Sequence, residues 1–355
     1  MELVEGKTIL LGMSVDELQR LVATFGMPRF VGKQIAKWLY QKQVSSFDEM
    51  TDISLRNRGL LGEHCIIGRS APTERLTSVD GTEKYMFQTL AGGYVETVMI
   101  PDHERATLCV SCQVGCKMNC VFCQTGKQGF HGNLLAADIL NQIFSVNGLH
   151  ASNGEFLTNI VYMGQGEPMD NLDAVLQSIN ILLADYGWAW SPKRITVSTC
   201  GLCSGMRRYL EESQCHLAIS LHSPIPEQRL QLMPSEKAYG IEQMVQELKH
   251  YFSRNGRDVR QRRLSFEYTV FSGLNDTSLH LKELVRLLSP LDCRLNLIRW
   301  HKIPDVSLPP TDESCLEMMR DYLTSHGIFT TIRASRGEDI MAACGLLSTL
   351  HKSNE

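Results

Sequence analysis

Cys109-Val-Ser-Cys112-Gln-Val-Gly-Cys116-Lys-Met-Asn-Cys120-Val-Phe-Cys123 places five thiols in fifteen residues of a 355-residue chain that carries 12 cysteines in all. A chain of this length buries enough apolar surface to fold without disulfide staples. Five free thiols in one loop gain nothing from packing, so the cluster points to metal or catalysis. Two metals compete on spacing. Zinc would use Cys109/Cys112 and Cys120/Cys123 as CxxC knuckles, across a gap of seven residues that is shorter than usual for zinc. Alternatively, Cys116-x3-Cys120-x2-Cys123 supplies three thiolates to an iron–sulfur cubane and leaves the fourth iron open, as a catalytic centre requires. Soft thiolates suit both metals, so ligand type alone leaves the choice open.

Beyond the cluster, strands and helices alternate. Candidate strands are 160–163, 194–198, 216–220, 265–270, 294–298 and 329–333, with helical periodicity over 136–146, 172–183, 241–252, 279–288 and 313–326. Such alternation implies a parallel sheet with right-handed crossovers. The expected fold is therefore α/β, a partial (β/α)6 barrel, with its chemistry at the C-terminal strand ends. Gly166-Glu167-Pro168, Ser198-Thr199 and Ser220-Leu221-His222 fall at such ends.

Upstream, Lys84–Leu90 and Tyr94–Ile100 flank a Gly92-Gly93 turn and read as a β-hairpin, with Glu96 in its second strand. Earlier still, Ser14 and Glu17 form a capping box ahead of Leu18, Leu21 and Val22, and a second periodic stretch runs from Gly32 to Tyr40. Between Glu17 and Asp48 there is no acid, whereas Arg20, Arg29, Lys33, Lys37 and Lys42 occur there, as a solvated helix face or an RNA-backbone contact. The division expected is a helical accessory domain over 1–62, a hairpin linker over 63–104, the barrel over 105–345 and a tail over 346–355. With 43% hydrophobic residues, 21% charged and a net charge of −4, the chain reads as a globular protein whose polyanion contacts rest on local patches. Its start lacks the pattern of a secretory signal, and no apolar run nears the ~20 residues of a membrane span. A cytoplasmic monomer without membrane contact is expected.

CxxxCxxC after a first strand, with Phe122 before the last cysteine, resembles the signature of the radical S-adenosylmethionine (SAM) enzymes, and Gly164-Gln165-Gly166-Glu167-Pro168 resembles their GGE-type motif. The chain is further identified as similar to one branch, the RlmN-type dual-specificity RNA adenosine-C2 methyltransferases. The resemblance rests on Arg105-Ala-Thr-Leu-Cys109, Gln113-Val-Gly-Cys116, Gln128-Gly-Phe130, Met163-Gly-Gln-Gly-Glu-Pro168, Ser198-Thr199, Ser220-Leu-His222, Asn296-Leu-Ile298 and Arg336-Gly-Glu-Asp-Ile-Met-Ala-Ala-Cys344-Gly345. A C8-methylating relative shares Cys109, the cluster triad and Cys344, but tends to have Gly-Glu-Ala where this chain has Gly166-Glu167-Pro168, which favours C2.

The resemblance implies a [4Fe-4S] cluster on Cys116, Cys120 and Cys123, and SAM contacts from Gly166, Glu167, Ser198, Ser220, Leu221 and His222. His301 stands where the family commonly has an asparagine that contacts SAM. The resemblance also implies that Cys344 carries the methyl group as S-methylcysteine, that Cys109 resolves the RNA adduct through a transient disulfide with Cys344, and that Glu96 is a proton acceptor. Two SAM molecules are used per turnover. Substrates are an adenosine in 23S rRNA at the peptidyl-transferase centre and adenosine 37 of some tRNAs, with an electron donor such as flavodoxin.

Several residues are left over. Cys112, Cys200 and Cys203 read as bystanders, and Cys65, Cys215, Cys293 and Cys315 as small hydrophobes. Arg254, Arg257, Arg260, Arg262 and Arg263 crowd one loop, as solvated charge or phosphate contacts.

Overall fold

The computed structural model describes residues 3–4, 6–151, 157–254 and 262–349. At the N-terminus, β1 (Leu3–Val4) and β2 (Lys7–Ile9) precede α1 (Val15–Thr24), α2 (Phe30–Ala36), α3 (Leu55–His64) and β3 (Cys65–Ile66). The expected capping box is present: the Glu17 N–H donates to Ser14 Oγ at 3.3 Å, and the Ser14 N–H donates to Glu17 Oε2 at 2.7 Å. Leu18, Leu21 and Val22 are buried on one face. Three strands accompany these helices, however: β2 pairs with β1 on one side and with β3 on the other, Thr8 opposite Cys65. Strands of two or three residues are too short to show a period-2 pattern in sequence.

The hairpin consists of β5 (Glu83–Gln88) and β6 (Tyr94–Asp102), preceded by β4 (Glu74–Thr77). Met86 lies opposite Glu96, and β6 also pairs antiparallel with β7 (Arg105–Cys109), Val98 opposite Cys109. The expected linker is thus continuous with the barrel sheet. Alternation reports which faces a strand presents, not which strand it pairs with.

After β7 come β8 (Gln113–Gly115), α4 (Gln124–Gln128), β9 (Phe130–Asn133) and α5 (Ala136–His150). Next follow β10 (Asn159–Tyr162), α6 (Leu172–Leu183), β11 (Ile195–Thr199), α7 (Cys203–Glu212) and β12 (His216–Ser220). The rest is α8 (Pro226–Leu232), α9 (Ile241–Arg254), β13 (Leu264–Val270), α10 (Ser278–Leu288), β14 (Arg294–Arg299), α11 (Glu313–Ser325) and β15 (Phe329–Ile332). The main sheet has the order β15-β14-β13-β12-β11-β10-β7-β6-β5-β4, and every pair from β15 to β7 is parallel. Six strand–helix units and a final strand therefore form the expected partial barrel, which is open because β15 and β4 are its edges. β13 is buried at every position, as a strand covered on both faces should be.

The chain beyond β15 folds back over the strand ends. Gly337 N–H donates to Asp80, Gln124 N–H to the Gly345 carbonyl at 2.8 Å, Thr125 Oγ1 to the Leu347 carbonyl at 2.7 Å and Ser348 N–H to Glu96 Oε2 at 2.8 Å. This strap, with Leu346, Leu347 and Thr349 buried, carries Cys344 to the top of the barrel. Arg257 and Arg260 lie outside the described residues, as does the side chain of Arg254. Among the described residues no helix is long and apolar enough to cross a membrane.

Candidate active site

Two adjoining cavities open at the C-terminal ends of the parallel strands. Cys116, Cys120 and Cys123 line the first, with Gly166, Glu167, Ser198, Ser220 and His222. Cys109 lines the second with His301 and Arg333, and Cys344 and Cys123 border both. Residues separated by 235 positions in sequence, Cys109 and Cys344, thereby share one cavity wall.

The triad is shaped by backbone. β8 ends at Gly115, the Cys116 N–H donates to the Gly129 carbonyl at 2.9 Å, and the Cys123 N–H to the Cys120 carbonyl at 3.1 Å. Burial pushes all three thiols up, Cys116 to about 12; Cys116 is raised further by Cys123, Cys120 by Cys123 and Cys116, and Cys123 by Cys344. They therefore face one another, and a bound cation is what would hold them as thiolates. A zinc tetrahedron would need four sulfurs about one point. Cys109, which that arrangement requires, instead faces Cys344 and Arg333. Among the described residues no three His, Cys, Asp or Glu side chains surround a single metal-sized position. A cubane asks less, since each thiolate meets its own iron, and the triad fits it.

The glycine-rich turn after β10 is dictated by close approach. Gly166 has φ +99°, and a Cβ there would lie 2.5 Å from Gln113 Cβ, so only glycine fits. Glu167 is buried, and its carboxylate accepts N–H bonds from Met169 at 3.0 Å and Cys200 at 2.8 Å. Burial pushes its pKa above the ordinary carboxylate value, and these amides oppose the rise. Its oxygens thus tie the turn to the end of β11.

His222 has φ +52°, and its Nδ1 accepts the Thr269 N–H at 2.9 Å. Burial, and secondarily Arg229, drive its pKa down to about 3, so the ring is neutral and carries its proton on Nε2. It packs on Phe122 with centroids 4.5 Å apart. Leu221 is turned away from the cavity into the core, its N–H donating to the Glu267 carbonyl at 2.9 Å and its carbonyl accepting from Arg229. His301 belongs to the second cavity, with Nε2 3.0 Å from Ser335 Oγ and Nδ1 3.2 Å from Glu338.

Glu96 is buried, with Oε1 2.9 Å from Lys84 Nζ. Its other oxygen accepts the Ser348 amide, so it anchors the strap behind Cys344 and does not line either cavity. Cys200 lines the first cavity beside Cys120, whereas Cys203 is buried in α7 and Cys112 in the core. Cys65 and Cys215 are core residues, and Cys293 and Cys315 pack against the core.

Two arginines escape sequence reasoning. Arg333, just beyond β15, is held in its charged form first by Cys344 and further by Glu267 and Cys109. It faces both thiols, and it opposes the burial that pushes Cys109 up to about 12. Arg229 is fully buried: Nε donates to the Leu221 carbonyl at 2.9 Å, Nη2 to the Ser220 carbonyl at 2.8 Å and to the Cys200 carbonyl at 2.9 Å. Nη1 pairs with Glu236. One side chain thus pins the ends of β11 and β12. Neither has a motif signal, since each is a single basic residue in an ordinary loop or helix.

Comparison with known proteins gives the family. Residues 8–67 match the family model of the ribosomal RNA large subunit methyltransferase N-terminal domain, and residues 110–287 match that of the radical SAM superfamily. The chain is 59% identical to a probable dual-specificity RNA methyltransferase RlmN of Bacteroides thetaiotaomicron, over 96% of both chains. It is 55% identical to a protein so described from Porphyromonas gingivalis, over 97% of this chain and 95% of the relative. A crystal structure of a radical SAM methyltransferase from Sphaerobacter thermophilus superposes with a TM-score of 0.90 at 35% identity, covering 96% of this chain and 99% of that one. With this identity running through both the accessory domain and the barrel, the chain belongs to the RlmN family of dual-specificity RNA methyltransferases, within the radical SAM superfamily.

Proposed function

We propose that the chain methylates C2 of an adenosine in 23S rRNA and of adenosine 37 in some tRNAs, with Cys344 as the methyl carrier and Cys109 as the resolving thiol. Adenine C2 is electron-poor, so direct displacement at the methyl group of SAM does not serve it. A [4Fe-4S] cluster on Cys116, Cys120 and Cys123, with SAM alongside Gly166, Glu167, Ser198, Ser220 and His222, would supply the one-electron chemistry such a carbon needs.

The chain's own residues do the rest. The Cys344 thiolate takes a methyl group by displacement and carries it as a thioether. Once the carbon has joined C2, Cys109 forms a sulfur–sulfur bond with Cys344 as the carbon–sulfur bond breaks, which frees the RNA. Glu96, held by Lys84 and the Ser348 amide behind the strap, serves as proton acceptor by relay and not by contact with the base, since it lines neither cavity. Two SAM molecules are consumed per turnover. An electron donor such as flavodoxin feeds the site, and the enzyme works as a cytoplasmic monomer.

The observation that carries this reading is the shared cavity wall of Cys109 and Cys344 beside Cys123. Anaerobic reconstitution should yield a brown protein. Cys109→Ala should accumulate a covalent RNA–protein adduct resolvable by denaturing electrophoresis, whereas Cys344→Ala should form none. Adduct formation by Cys344→Ala, or full turnover by Cys109→Ala, would refute the roles assigned.

A further inference from the structure

The barrel has a second charged end. Lys193 lies two residues before β11, Arg262 and Arg263 precede β13, and Arg294 opens β14, all at the strand starts and so opposite the site. Register brings them together: Thr196 lies opposite His216, Leu217 opposite Leu264, and Ser265 opposite Arg294. The Arg263 N–H donates to His216 Nδ1 at 2.9 Å. Arg263 also feels Arg294 and, from the start of β7, Arg105.

Lys193, Arg263 and Arg294 are exposed, and among the described residues none of them pairs with a carboxylate. Arg262 is different. It is 8% exposed, its guanidinium lies 5.6 and 5.7 Å from the ring centroids of Tyr209 and Tyr251, and its Nη1 has no hydrogen-bond partner among the described residues. A buried cationic donor without a hydrogen-bond partner is costly, and the two tyrosine rings offset part of that cost. The cations also repel one another: burial, then Arg263, Arg262, Lys193 and Arg294, push His216 down to about 4. A chain of net charge −4 concentrates positive charge here against its own stability.

We propose that this floor of the barrel is a second RNA-contact surface, which holds backbone phosphates of the substrate at a distance from the target adenosine. β13 spans seven residues, so at ~3.3 Å per residue the floor lies about 20 Å from the site. That is out of reach of an isolated stem–loop seated at the site, but within reach of a large folded RNA. Guanidinium groups suit phosphate oxygens, and a contact to backbone carries no sequence preference, as two different RNA substrates require.

The inference rests on RNA being the substrate, and the test keeps the two apart. Reconstituted wild-type enzyme and the Lys193→Ala/Arg263→Ala/Arg294→Ala variant are compared on a full-length tRNA transcript and on its isolated anticodon stem–loop, across a potassium chloride series. All three positions are exposed, and a melting curve of the variant checks its fold. The variant should bind full-length tRNA about tenfold more weakly near 0.1 M salt, with the slope of log Kd against log salt lowered by about 2 to 3. Its affinity for the stem–loop and its turnover of that RNA should match wild type. Unchanged full-length binding and slope would overturn the inference, and so would equal weakening on both RNAs. Wild-type turnover of the stem–loop reports on the methyltransferase assignment independently.

Discussion

Replacing Arg229 with methionine removes a fully buried cation and strands the groups it serves. Glu236 would keep its carboxylate in the core with the Ile241 amide as its remaining partner, and the carbonyls of Cys200, Ser220 and Leu221 would each lose a donor. Breaking a buried ion pair from one side costs ~3–5 kcal/mol, because the remaining charge stays desolvated. Orphaned buried carbonyls add ~1 kcal/mol each at the lower bound. The loss is then about 6 kcal/mol, a large share of the ~5–15 kcal/mol that stabilises a typical domain. At ~2 °C per kcal/mol for a chain of this size, the melting temperature should fall by roughly 12 °C, as read by differential scanning fluorimetry. Adding Glu236→Leu removes the stranded carboxylate and should recover part of the loss. Because two of the three carbonyls belong to residues that line the first cavity, Cys200 and Ser220, Arg229→Lys, which keeps the charge but not the fork, should weaken SAM binding more than it lowers melting temperature. A single Arg229→Met variant melting within 2 °C of wild type would refute the reasoning. So would a double variant less stable than the single.

Two further outcomes follow from the electrostatics of the site and of the buried histidines. An opposite charge at close range lowers a thiol by ~1–3 pKa units, so Arg333→Gln should slow iodoacetamide labelling of Cys109 at pH 8 at least about tenfold, while Arg333→Lys retains most of the rate; equal labelling of Arg333→Gln and wild type by mass spectrometry would remove Arg333 from this role. His222 and His216 are held neutral in the fold, with pKa values of about 3 and about 4, against ~6.5 unfolded. Their contribution is complete above pH 6.5 and is lost as the pH falls towards those values, because the unfolded chain takes up protons that the fold refuses. Each costs up to ~1.4 kcal/mol per pH unit in that window, so melting temperature should drop steeply between pH 6.5 and 4, and His222→Gln should flatten the profile.

Local sequence carried a good deal of this protein. The capping box of Ser14 and Glu17, the hairpin around Gly92-Gly93 and the parallel strands of the barrel are short-range patterns of period and turn chemistry, and all were legible. The cluster triad was legible as a choice between metals, because three thiols within eight residues must share one loop. The two-strand contacts of β2 were not, since they are shorter than any period they would display.

What the sequence alone determined, then, was the α/β alternation and the thiol triad, and resemblance added the expectation that Cys109 and Cys344 act together. Tertiary structure decided what no local pattern encodes. The strap behind β15 brings Cys344 beside Cys109, because its amides find acceptors on Glu96 and its carbonyls find donors on α4. It also sends Glu96 to the anchor of that strap, turns Leu221 into the core, and moves His301 to the second cavity. Arg333 and Arg229 acquire their roles only from neighbours distant in the chain. An isolated arginine in sequence is one more solvated cation; what makes it a site residue is the thiol, carbonyl or carboxylate that folding sets against it, and burial that keeps water from competing.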